Sequence, residues 1–180
     1  MIRRTARHLA RLTGDQRGLA AVEFALILPF MALLYFGAIE VTLLIGADRK
    51  VTQTASSLAD LVARTDSITQ AEIDDVFEAA SVLFAPFDAS GVELRISSVI
   101  DDSGVAEVEW SEGRNIAARA VGDVVVLDAG VLPEDGSVIM AEVTYQYDSA
   151  LGFFLQSATE LNEIFYLRPR QGDKVVWDAG

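Results

Sequence analysis

Two carboxylates stand out by their surroundings. Glu23 and Glu40 are the only charged side chains between Gly18 and Ala47, in the stretch GLAAVEFALILPFMALLYFGAIEVTLLIGA. A carboxylate within a membrane helix costs roughly 2.5–3.5 kcal/mol on insertion scales, so such a residue normally has a partner or a function. The remaining acids cluster elsewhere. Asp101, Asp102 and Ser103, followed by Glu107 and Glu109, offer hard oxygen ligands to a cation such as calcium. They lack the spacing of an EF-hand loop, and they read more simply as turn acids and a solvent-facing strand edge. Asp74 and Asp75 point about 100° apart on a helix and suit its solvated N-terminal face rather than a catalytic pair.

Other chemistries are excluded by composition. The chain has no cysteine, which removes thiolate nucleophiles, zinc–thiolate sites and disulfides, and its one histidine is His8. No nucleophile elbow, Walker loop, zincin motif or dinucleotide fingerprint occurs. The expectation is a protein that is not an enzyme, with no metal and no cofactor.

The greasy stretch must be positioned by a membrane. From Phe24 to Ala47, 24 residues carry one charge, and as a helix they span about 36 Å, enough for a hydrocarbon core. Residues 1–18 hold Arg3, Arg4, Arg7, Arg11 and Arg17 against Asp15 alone, whereas the rest of the chain holds 9 basic and 26 acidic residues. By the positive-inside rule the N-terminus is cytoplasmic and the acidic body lies on the far side. That body repels nucleic acid backbones. Pro29 lies about a turn and a half beyond Glu23, where its missing N–H loosens or kinks the helix. Glu40 is about 260° around the helix from Glu23. It is placed near the outer headgroups, with a partner helix as the other option.

A secretory signal peptide shares the basic head, and a small-residue cut after Ala38 is conceivable. Its apolar region, however, should be about 7–15 residues long and free of charge, unlike this one. An uncleaved signal anchor is the plainer rival. Against both stands the local sequence R-G-L-A-A-V-E-F, Arg17 to Phe24, which resembles the processing site of type IV prepilins. Within that group, residues Arg17 to Leu34 are similar to the TadE/TadG-like pilus assembly family of Tad (Flp-type) systems, whose members often read G-x-x-A-V-E-F before an apolar, proline-containing helix.

The resemblance implies cleavage between Gly18 and Leu19 by a membrane-embedded prepilin peptidase, which leaves Glu23 as the fifth residue of the mature chain, followed by Phe24. A glycine before the scissile bond leaves it accessible and disfavours helix there. The partner of Glu23 would then be the free α-amine of Leu19 in a neighbouring subunit, and removal of His8 with the leader would leave no imidazole at all. It further implies a minor pilin-like (pseudopilin) subunit in the bacterial inner membrane, incorporated into a pilus or assisting its assembly in secretion and adhesion. Its partners would be other pilin-like subunits, Tad-type membrane machinery and inner-membrane lipid. The alternative function is an uncleaved single-pass binding protein with an acidic periplasmic domain.

The chain divides into a basic leader (1–18), the transmembrane part of the N-terminal helix (19–47) and an extracytoplasmic domain (48–180). Helical spacing of Val51, Ala55, Leu58, Leu61 and Val62 continues the first helix to about Arg64. Thr69-Gln70-Ala71-Glu72 has the form of a capping box, and Ile73, Val76, Phe77, Ala80, Leu83 and Phe84 form the stripe of a second helix ending at Pro86. The period then becomes two. Val92 to Ser97 and Val105 to Trp110 flank a turn at Asp101–Gly104, Val124–Leu127 reads as a short strand, and Val138–Tyr147 as a long one. Phe153–Leu155 supplies a loop or short helix, and Leu161–Leu167 a last strand. The fold class expected is α+β, with a long N-terminal helix, membrane-spanning then amphipathic, a second helix and an antiparallel sheet in a pilin-like arrangement.

Overall fold

Helix α1 runs unbroken from Arg17 to Ala63, 47 residues and about 70 Å at 1.5 Å per residue. The computed structural model describes residues 17–149, 151–155 and 157–179. Most of the basic leader, including Arg3, Arg4, Arg7, His8 and Arg11, therefore lies outside the described residues. The two halves of α1 have different surroundings. Large apolar side chains from Leu19 to Tyr35 stand open, whereas Ala47, Val51, Ala55, Leu58, Ala59, Val62 and Ala63 form a buried stripe. Four of these seven are alanine, whose small side chain lets the facing strands approach the helix. Leu61, expected in the stripe, sits at its edge and is 40% exposed.

Strand β1 (Ser67–Thr69) leads directly into α2 (Gln70–Leu83). The capping box is formed: Glu72 N–H donates to Thr69 Oγ1 at 3.3 Å, and Thr69 N–H donates to Glu72 Oε2 at 2.8 Å. At the other end Lys50 of α1 donates from Nζ to the Leu83 carbonyl at 2.9 Å, satisfying an orphan acceptor and tying the helices together.

Four antiparallel strands follow, β2 (Glu93–Asp102), β3 (Val105–Arg114), β4 (Ser137–Tyr147) and β5 (Thr159–Leu167), in the order β3-β2-β4-β5. Ser103 and Gly104 join β2 to β3 with both φ angles positive, as a two-residue hairpin turn requires. The pairing steps from Ser98–Trp110 to Val99–Val108, so Glu109 bulges out of β3. The extra residue lets Trp110 face the helices while Val108 lies opposite Val99 on the other side.

One face of the sheet, with Leu94, Ile96, Ile139, Ala141 and Val143, packs on α1 and α2 around Phe77 and Phe84. On the other, Val99, Val138 and Met140 are covered by the irregular segment between β3 and β4, through Val125, Leu127, Val131 and Leu132. Here the structure departs from expectation. Val124–Leu127 is not a ladder strand: it makes one isolated bridge, Glu107 to Val124, and turns Val125 and Leu127 inward while Val124 and Val126 stay exposed.

A second, two-stranded sheet, unforeseen in the sequence, pairs β1 in parallel with β6 (Val176–Asp178). The chain before β6 seals the end of α1. Arg170 N–H donates to the Ala63 carbonyl at 2.7 Å, Gln171 Nε2 to the Arg64 carbonyl at 2.6 Å, and Trp110 Nε1 to the Val175 carbonyl at 2.7 Å. The architecture is α+β, with the long helix, the second helix and the antiparallel sheet.

Candidate functional site

The residues singled out for processing and assembly, Gly18, Leu19, Glu23 and Phe24, lie on the uncovered half of α1. Leu19 is 60% and Phe24 61% exposed, and Glu23 lies open between them. Among the described residues Glu23 makes no ion pair or side-chain hydrogen bond. A side chain added at Gly18 would meet nothing within 4 Å among the described residues, so no packing there demands glycine. The helix continues through Pro29, which cannot donate to the Ala25 carbonyl. Gly18, Leu19, Glu23 and Phe24 thus share one helical segment with no cover from the other described residues. By length and composition α1 is long and apolar enough to cross a membrane.

Glu40 differs from Glu23 completely. Its carboxylate is fully buried, beneath the loop that follows β4. Ser149 Oγ donates to Oε1, and Phe154 N–H donates to Oε2 at 2.8 Å. The same loop lays Phe153 flat on Phe36, ring centroids 5.4 Å apart and 6° from parallel. Phe154 occupies the space above Gly37, where an added Cβ would fall 2.7 Å from its ring. Neither the headgroup position nor the partner helix weighed for Glu40 foretold this contact: its partner is a loop of its own chain, more than 100 residues away in sequence, and nothing local in the sequence signals it.

A second buried acid was also missed. Glu142 of β4 takes a bidentate contact from Arg95 on β2, Nε to Oε2 at 2.6 Å and Nη2 to Oε1 at 2.7 Å. Arg119 adds another, Nε to Oε2 at 3.1 Å and Nη2 to Oε1 at 2.7 Å. Burial alone would push the Glu142 carboxyl up. The hydrogen bonds and charges of the two arginines outweigh it and hold the group below the usual carboxylate range. Arg95 and Glu142 are nearest neighbours in register, and Arg119 pins the irregular segment over them. The arrangement is a clasp that ties β2, β4 and the irregular segment together.

Two of the acids weighed as a cation site, Asp101 and Glu109, are already engaged. Asp101 accepts the N–H groups of Gly104 at 3.1 Å and Asp135 at 3.0 Å, and Glu109 pairs with Lys174. No group of His, Asp or Glu suited to a metal ion occurs among the described residues.

Comparison with known proteins points to the same helix. Residues 18–60 match the family model of the TadE-like protein. No curated protein and no solved structure matches the chain. The match begins at the glycine before the apolar run and ends within the buried stripe, so it takes in Glu23, Pro29 and Glu40 together. The likeness to the TadE-like family is confined to this helix, from the open apolar half to the start of the folded domain.

Proposed function

We propose that the protein is a minor pilin-like subunit of a Tad-type pilus assembly or secretion system. It is cut between Gly18 and Leu19 by a prepilin peptidase and acts in pilus biogenesis and adhesion as a structural component, not an enzyme. The observation that carries this reading is the division of α1. Its first half is apolar, unpartnered and marked by Glu23, and it continues without interruption into the core helix of an α+β domain. A helix of that kind is retained in a bilayer and transferred into a helical assembly without refolding the domain it carries. In the bilayer Glu23 is costly; beside the free amine of Leu19 in an adjacent subunit it is paired. The N-terminus lies in the cytoplasm and the domain in the periplasm. Gly18 and Leu19 act as processing residues, Glu23 and Phe24 in assembly, and Pro29 as a point of helix loosening.

N-terminal sequencing of the membrane-extracted protein tests the reading. Leu19 as first residue supports it, Met1 supports an uncleaved anchor presenting an acidic periplasmic domain, and Ile39 supports ordinary secretion. A Glu23→Ala strain with normal piliation and surface adhesion would defeat the assembly role.

A further inference from the structure

We propose that the loop segment 151–155 is a second membrane contact, a non-helical wedge whose Leu151, Phe153 and Phe154 side chains enter the periplasmic face of the bilayer and set the depth of α1. The inference rests on α1 spanning the membrane.

The helix supplies a ruler. Starting from Leu19 at the inner boundary, Phe36 lies about 26 Å and Glu40 about 32 Å along the axis, against a hydrocarbon core of about 30 Å. The loop touches α1 at these levels, through Phe36, Gly37 and Glu40. The folded domain proper begins higher, where Phe87 approaches Gly46 and Ala47 is buried. The first charges beyond Glu40, Asp48 and Arg49, are about 12 Å further along. The loop thus lies at the depth of the outer membrane boundary, level with Tyr35 and Phe36 of the helix.

Its chemistry fits that depth. Irregular backbone is tolerated in a bilayer only where its polar groups are satisfied by protein. Here Phe154 N–H is taken by Glu40, and the N–H groups of Leu151 and Gly152 approach Ser149 Oγ at 3.4 and 3.3 Å. Gly152 adopts a positive φ of 61°, which permits the tight turn. With these donors turned inward, Phe153 and Phe154 present 57% and 55% of their surface outward. The buried carboxylate of Glu40 thereby acts as the internal acceptor that lets a loop sit against lipid. A continuous apolar surface runs from the span onto the loop, and a phospholipid acyl region is the occupant that continuity selects.

The absence of cysteine makes the test direct. Full-length chains carrying Phe153→Cys, Leu151→Cys, Leu33→Cys or Val126→Cys are labelled with an environment-sensitive fluorophore. They are then reconstituted into phosphatidylcholine–phosphatidylglycerol vesicles, with or without lipids spin-labelled at the top or the end of the acyl chain. Leu33 reports the span, and Val126, 93% exposed, reports the aqueous side. The expected result is loss of most emission at positions 153 and 151 with the shallow quencher, deeper quenching at 33, and none at 126. Quenching at 33 with none at 153 and 151 would overturn the wedge while leaving the span intact. No quenching at 33 would overturn both. Emission at 153 that is blue-shifted on raising protein concentration, yet blind to the spin label, would assign the loop to a second copy of the chain and overturn the lipid contact.

Discussion

The backbone N–H of Phe154 donates to Glu40 Oε2 across 114 residues of chain, so an acid on the first helix fixes the geometry of a loop near the end of the sheet. Glu40→Ala removes the acceptor for both Phe154 N–H and the Ser149 hydroxyl. The core stripe from Ala47 to Ala63 does not touch this site, so the domain keeps its fold while the loop is released. Limited chymotrypsin digestion should cut after Phe153 or Phe154 faster in the variant than in the parent, with an unchanged far-UV circular dichroism spectrum. Equal cleavage rates would show that Glu40 does not hold the loop.

The Glu142 clasp gives a pH dependence of defined sign. Its carboxyl is held below the ordinary range in the folded protein, so its contribution is present above the unfolded carboxylate value near 4.3 and is lost as pH falls through the depressed folded value. Glu142→Gln should lower stability at neutral pH by about 2 kcal/mol. That is less than the loss for a wholly buried pair, because Arg95 and Arg119 are 18% and 29% exposed and keep some water. Urea titrations at neutral and acidic pH check this, since the gap between parent and variant should narrow on acidification.

Thr54 faces the core with its hydroxyl buried and, among the described residues, without a hydrogen-bond partner. Replacing it by valine keeps the branched shape and removes the unsatisfied group, for a gain of about 1 kcal/mol. A thermal melt at neutral pH reads the change directly, and a lower midpoint would show that the hydroxyl is satisfied in solution.

Gly113 admits no side chain. A Cβ there would lie 2.3 Å from the Ile116 carbonyl oxygen, a backbone atom that cannot swing aside. Gly113→Ala should cost about 1–3 kcal/mol by displacing the segment that carries Arg119. Urea denaturation compared with that of Glu142→Gln checks both the cost and its origin. In the double variant the losses should add to less than their sum, because both loosen the same clasp.

What local pattern can encode was readable beforehand. The stripe Val51, Ala55, Leu58 and Val62 follows helical spacing because one face must meet a sheet, and the Thr69–Glu72 box announces α2 because its two hydrogen bonds form within four residues. Gly18, Leu19, Glu23 and Phe24 stood out because a charge in an apolar run is conspicuous without any fold. The features that escaped depend on distance in sequence. Glu40 meets Ser149 and Phe154, Glu142 meets Arg95 and Arg119, and β1 meets β6, each through partners that no periodicity marks. Val124–Leu127 misled for a different reason. Alternation of inward and outward side chains follows from extended backbone alone, and here that backbone covers a sheet while joining it only through one bridge to β3.

The pairing of β1 with β6 also imposes an order of events. The carbonyl of Arg64 waits for Gln171, 107 residues later in the chain. At synthesis rates of about 5–20 residues per second that interval is roughly 5–20 s, during which the end of α1 has emerged but lacks its cover. The first helix is thus made early and is among the last parts completed, and the domain closes only once its distal strand is present.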